Sequence, residues 1–177
     1  VIDTSAPKIN SITSLTANGS YKAGATISIN IVFNEVITLT GTMGLNLDSG
    51  GVVVLNAFTG TSANGIYTVL AGENSNDLNV NSIVVNGSAK DSGLNDLELT
   101  LPSTNIATNS NIIIDTIAPQ ITAISSSTAN GYYTIGSIVT MRIDFSEVVT
   151  LTGTLSINLD SGGVAFISTF SGTNASC

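Results

Sequence analysis

The sequence repeats itself at an offset of 112 residues, and this limits the fold more than any other feature. Asp3-Thr4-Ser5-Ala6-Pro7 returns as Asp115-Thr116-Ile117-Ala118-Pro119, and Thr16-Ala17-Asn18-Gly19 returns as Thr128-Ala129-Asn130-Gly131. Glu35 maps to Glu147, Leu39-Thr40-Gly41-Thr42 to Leu151-Thr152-Gly153-Thr154, and Asp48-Ser49-Gly50-Gly51 to Asp160-Ser161-Gly162-Gly163. Over the 62 aligned pairs from Asp3 to Asn64, 33 are identical. This pattern predicts two domains in tandem: a complete copy over residues 1–114 and the N-terminal part of a second, truncated copy over 115–177.

Within the first copy, the period is that of strands. Ile27, Ile29, Ile31 and Phe33 alternate with polar or smaller residues, as a half-buried strand requires. The second copy keeps the pattern with Val139, Met141, Ile143 and Phe145. Thr16–Ser20 reads as a turn, and Glu35 falls in a short loop. Asp48-Ser49-Gly50-Gly51 is a hairpin signal, because glycine accepts the positive φ of such turns. Residues 59–65 read as a loop, followed by strands at 66–70 and 78–85, an alternating Leu97-Leu99-Leu101 run and a last strand at 111–114. No segment has a convincing helical period. Seven or more short strands with turns every 8–12 residues predict an all-β fold, a Greek-key β-sandwich of immunoglobulin type.

Composition narrows the function classes. Apolar residues make up 42% of the chain, enough for a buried core and against disorder. Only four bases (Lys8, Lys22, Lys90, Arg142) stand against 12 acids, so a nucleic-acid partner is not expected. Histidine is absent and the single cysteine is Cys177, which removes the commonest general base, histidine-rich zinc sites and an intrachain disulfide. No apolar run approaches the ~20 residues of a membrane-spanning helix. No leader segment is recognisable, which points to a mature or excised piece. Three Asn-X-Ser sequons begin at Asn18, Asn86 and Asn174, and chance explains them in a chain this rich in Asn and Ser.

The frame D-T-x-A-P, Y-x-x-G, F-x-E-x-V-T-x-T-G-T, L-D-S-G-G and a late D-x-x-x-N resembles the bacterial immunoglobulin-like repeats found in tandem in giant surface adhesins and other extracellular proteins. The resemblance covers essentially the whole chain. It implies secretion to the bacterial cell surface, neighbouring repeats or copies of the same chain as partners, and calcium bound at or near the junctions. The late loop, Asp91-Ser92-Gly93-Leu94-Asn95, departs from the alanine-glycine-asparagine run of its relatives.

Carboxylates are the one candidate chemistry. If successive strands are antiparallel, alternate loops share a pole of the sandwich. One pole then gathers Asp3, Glu35 and the loop with Asp91 and Asp96. The other gathers Asp48, Glu73, Asp77 and the linker residue Asp115, onto which a following repeat brings Glu147. Clustered acids with few basic partners suit calcium, which accepts 6–8 oxygens in flexible geometry. The competing reading makes Asp3 and Asp115 turn caps before proline and leaves Glu35 and Glu147 bonded to loop backbone. Asp48 and Asp160 fit turn chemistry without a ligand role. Tyr21, Tyr132 and Tyr133 read as packing at the edge of the core. Cys177 stands where the offset places Gly65, as an engineered attachment point, an end of the excised piece or half of an intermolecular disulfide.

Enzyme function is not expected, since no activated nucleophile or phosphate-cradling glycine loop is present and the same acids recur in each copy. The expected role is a non-catalytic, calcium-stiffened spacer of a cell-surface adhesin. The rival is a subunit of an extracellular filament or sheath, assembled by strand complementation of the incomplete second domain. A glycan-binding module lacks the aromatic platform that sugars stack on, because tryptophan is absent.

Overall fold

The computed structural model describes residues 2–177, and these divide into two compact units at Ile117/Ala118. Strand dominates. In the first unit β1 (Ile9–Ser14), β2 (Gly19–Tyr21), β3 (Thr26–Leu47), β4 (Val52–Thr68) and β5 (Val80–Lys90) are followed by a short helix α1 (Ile106–Asn109) and β6 (Ile112–Ile114). The second unit contains β7 (Ile121–Ser126), β8 (Met141–Leu151), β9 (Leu155–Asn158), β10 (Val164–Ile167) and β11 (Phe170–Ser176).

The long β3 organises the first unit. It pairs antiparallel with β1 and β4, and its second half also takes β5 on the other edge. Because side chains alternate along a strand, the odd-numbered residues Ile27, Ile29, Ile31, Phe33, Ile37, Leu39, Met43, Leu45 and Leu47 all turn to one face, where they are buried. Leu78, Val80, Ile106 of α1, and Ile112 and Ile114 of β6 belong to the same core. β2 and β6 form a separate parallel pair, from Gly19 opposite Ile112 to Tyr21 opposite Ile114.

Four features differ from the sequence reading. Residues 59–65, expected as a loop, continue β4, where Asn30 Nδ2 reaches Asn64 Oδ1 at 2.6 Å and the Thr38 and Thr59 hydroxyls meet at 3.1 Å. Cross-strand polar pairs of this kind hold a strand that carries little apolar signal. The Leu97-Leu99-Leu101 run forms isolated bridges, Lys8 with Glu98 and Lys90 with Asp96, in place of a strand. A one-turn helix appears where none was expected, capped by Asn105, whose side chain accepts from Ile106 N at 2.9 Å while its amide donates to Val80 O at 2.9 Å. Glu35, expected in a loop, lies inside β3 at a register shift between Val32 and Ile37.

The hairpin at Asp48–Gly51 forms as expected, with Leu47 N donating to Gly51 O at 2.8 Å and Gly50 at φ 95°. Leu159 N donates to Gly163 O at 2.9 Å and Gly162 has φ 84°, the same turn 112 residues on. In the second unit β8 lies between β7 and β11, while β9 pairs with β10. The pairings coincide at that offset: Ile121 faces Phe145 as Ile9 faces Phe33, and Val164 faces Asn158 as Val52 faces Asn46. No helix among the described residues is long and apolar enough to cross a membrane.

Candidate metal centre

The first unit draws Asp3, Glu35 and Asp91 together. One carboxylate oxygen from each lies within 4.8 Å of the others, the single group of three or more potential ligand residues among those described. Each arrives by a different route. Asp3 stands on the entering chain, where its Oδ1 accepts from Ser5 N at 3.0 Å in a turn before Pro7. Glu35 is placed by the bulge in β3, and the neighbouring Asn34 Oδ1 ties that bulge to Lys8 N at 2.6 Å. Asp91 follows β5 directly and is buried.

Asn95 assembles the group. Its side-chain amide donates to Asp91 Oδ2 at 2.9 Å, to Ser5 O at 3.1 Å and to Asp3 O at 3.3 Å, and its backbone N–H donates to Asp91 Oδ1 at 2.9 Å. Gly93 permits the approach, since a Cβ there would lie 3.0 Å from both Asp3 Cβ and Asn95 Nδ2. Next to it, Leu94 takes a φ of 69°, a left-handed conformation unusual for leucine. The Asn95 side chain holds the Asp91 carboxyl below its ordinary range; burial opposes this, and backbone donors from Asn95, Gly93 and Leu94 reinforce it. Asp91 is therefore ionised at neutral pH.

Among the described residues no lysine or arginine pairs with the cluster. The ion pairs among the described residues are Lys8 with Glu98 at 3.5 Å, Lys90 with Asp96 at 2.6 Å and Arg142 with Asp144 at 2.6 Å. Three facing carboxylates without a cation repel one another, so the arrangement favours a hard divalent ion. Asp96, expected at the same pole, is taken up by Lys90.

The other expected ligands are placed differently. Asp77 is exposed, with its N–H on Ser75 Oγ at 3.3 Å. Asp115 Oδ1 accepts from Ile117 N at 3.0 Å, the same turn that Asp3 makes. Within the first unit neither joins a carboxylate group. Glu147 belongs to β8 of the second unit, where its Oε1 is buried without a hydrogen-bond partner among the described residues. Asp48 works as a cross-link, accepting from Ser75 Oγ at 2.9 Å and Asn79 N at 3.0 Å. Glu73 accepts from the Tyr67 hydroxyl and from Leu70 N, each at 2.7 Å. Neither Asn95 nor Gly93 stands out in the sequence as part of a site; their signal is a glycine two residues before an amide in an acidic loop.

Comparison with family models, with curated proteins and with solved structures gives no match.

Proposed function

We propose that the chain is a non-catalytic extracellular structural module, a calcium-stiffened spacer of a cell-surface adhesin built from immunoglobulin-like sandwich repeats. The observation that carries this reading is the meeting of Asp3, Glu35 and Asp91 with no lysine or arginine paired to them among the described residues. A calcium ion there takes one or two oxygens from each carboxylate and completes its 6–8 ligands with water or carbonyls. It ties the entering chain at Asp3 to β3 and to the loop after β5, so the chain leading into the sandwich loses its freedom to swing. A spacer needs that property. Asp115 and Glu147 recur at the offset of Asp3 and Glu35, which supports a site that each repeat provides and not a single reactive centre.

The test is calorimetric titration of the chain with calcium, beside Glu35→Gln. The reading expects saturable binding in the parent and at least about tenfold weaker binding in the variant, from the loss of one ligand charge. Equal heats in both would remove the site. The rival filament subunit is separated by sedimentation, for which the spacer reading expects no concentration-dependent growth.

A further inference from the structure

We infer that the second unit is a docking surface for a polypeptide segment of the Ile66–Ile114 type, supplied from outside these 177 residues, which adds antiparallel to the free edge of β9. The inference rests on the repeat relation of the proposed function and not on calcium.

The first unit shows what such a segment does. There the second half of β3 lies between β4 and β5, with Gly41 opposite Gly87, Met43 opposite Val85 and Leu45 opposite Ile83. Gly41 and Gly87, both at positive φ, approach so closely that a Cβ on either would overlap a backbone carbonyl of the other strand. Tyr67 lays its ring over Gly51, where a Cβ would overlap it, and its hydroxyl meets Ser49 Oγ at 3.0 Å. Ser75 and Asn79 close on Asp48.

The second unit carries the same seats without their occupants. Gly153, the counterpart of Gly41, keeps a φ of +99°, yet a Cβ there would meet nothing within 4 Å. Gly163, the counterpart of Gly51, has only Ser161 and Leu159 of its own turn nearby. β9 pairs with β10 alone. Ile121, Phe145, Val149, Leu151, Leu155 and Phe170 line an open apolar groove of about 250 Å³. The counterparts Ile9, Phe33, Ile37, Leu39 and Met43 are all buried, and Phe58 packs against them. A glycine in the left-handed region, a glycine floor beside a serine hydroxyl, a free strand edge and an open apolar groove are the negative image of one segment. Its chemistry follows: a tyrosine for the Ser161–Gly163 seat, hydroxyl and N–H donors for Asp160, a glycine facing Gly153, and apolar residues facing Leu155 and Ile157.

A second copy of the chain is a poor donor. Its own residues 66–114 are committed, with Tyr67, Leu78, Val80 and Ile112 each no more than 1% exposed. Releasing them would dismantle its first unit.

The experiment compares the 177-residue chain with one in which the sequence of residues 66–114 follows residue 177 directly. Amide exchange and an apolar fluorescent dye are the readouts. In the extended chain, exchange over Gly153–Leu159 should slow by at least about tenfold, and the dye signal should fall. Gly163→Ala supplies the specificity control. In the 177-residue chain its Cβ makes ordinary contacts of 3.6 and 3.8 Å, so unfolding is unchanged; in the extended chain it blocks the tyrosine seat and abolishes the slowing. Unprotected Gly153–Leu159 amides in the extended chain overturn the proposal. Full docking despite Gly163→Ala overturns the register. Self-association of the 177-residue chain with those amides already protected makes a second copy the occupant and likewise overturns it. Protection of β8 amides in the parent chain is read in the same data, so failure of the repeat relation is distinguishable from failure of docking.

Discussion

Tyr67→Phe removes one oxygen atom from the first unit and leaves the ring over Gly51 in place. That oxygen donates to Glu73 Oε2 at 2.7 Å and lies 3.0 Å from Ser49 Oγ, in a side chain 1% exposed. A hydrogen bond to a charged group contributes about 1.5–3 kcal/mol net, so the variant should lose about 2 kcal/mol. For a unit of this size that is a fall of roughly 8 °C in Tm by circular dichroism. A second signature comes from pH. Burial, with Glu73 and Asp48 nearby, pushes the phenol from 10.0 up to about 12 in the folded chain, against the lowering effect of the Ser49 bond. The folded state holds this proton more tightly than the unfolded state. The contribution is therefore complete below pH 10 and is lost as pH rises from about 10 to 12. Two pH units set an upper bound of about 2.7 kcal/mol, lowered by solvent near the loop. The phenylalanine variant lacks that loss, so the stability gap between the two chains should close across this interval. A variant within about 0.5 kcal/mol of the parent at neutral pH, or a gap that stays constant to pH 12, refutes the reasoning.

Three further outcomes are expected. Gly65→Ala should cost about 1–3 kcal/mol in chemical denaturation, because the new Cβ overlaps Val53 and lies 2.8 Å from Leu55 Cδ2. Leu78→Ala should cost about 2–5 kcal/mol although residue 78 lies outside every strand, because its side chain is fully buried in the core. Asp91, held below its ordinary 3.8, stabilises the folded chain at neutral pH and loses that contribution as pH falls below about 4; Asn95→Ala should move this acid loss and speed exchange of the Ser5 amide.

The alternating strand of β3 was legible because Ile27 through Phe33 state their period without interruption, and the hairpin at Asp48–Gly51 because its glycines answer a φ requirement. Residues 59–65 misled because a strand held by Asn30–Asn64 and Thr38–Thr59 pairs has the composition of a loop. The leucines at 97–101 misled in the opposite sense: Leu97 is buried, Leu99 is 41% exposed, and the segment makes only single bridges. Antiparallel topology places Asp3, Glu35 and Asp91 at one pole in the sequence reading; in the structure they do lie together, but Glu35 arrives from a bulge within β3 and not from a strand end. The part of Asn95 was not legible, since nothing local to an asparagine tells which distant carbonyls its amide will reach.

The most direct test of the account is thermal unfolding of the chain in excess calcium and in chelator. With calcium at a hundred times its Kd, linkage predicts about 2.7 kcal/mol of added stability and a Tm higher by roughly 10 °C; at the same calcium concentration the tenfold weaker Glu35→Gln should gain no more than about 1.4 kcal/mol and roughly 5 °C. An identical Tm in calcium and in chelator would contradict it, leaving Asp3, Glu35 and Asp91 as turn and loop residues alone.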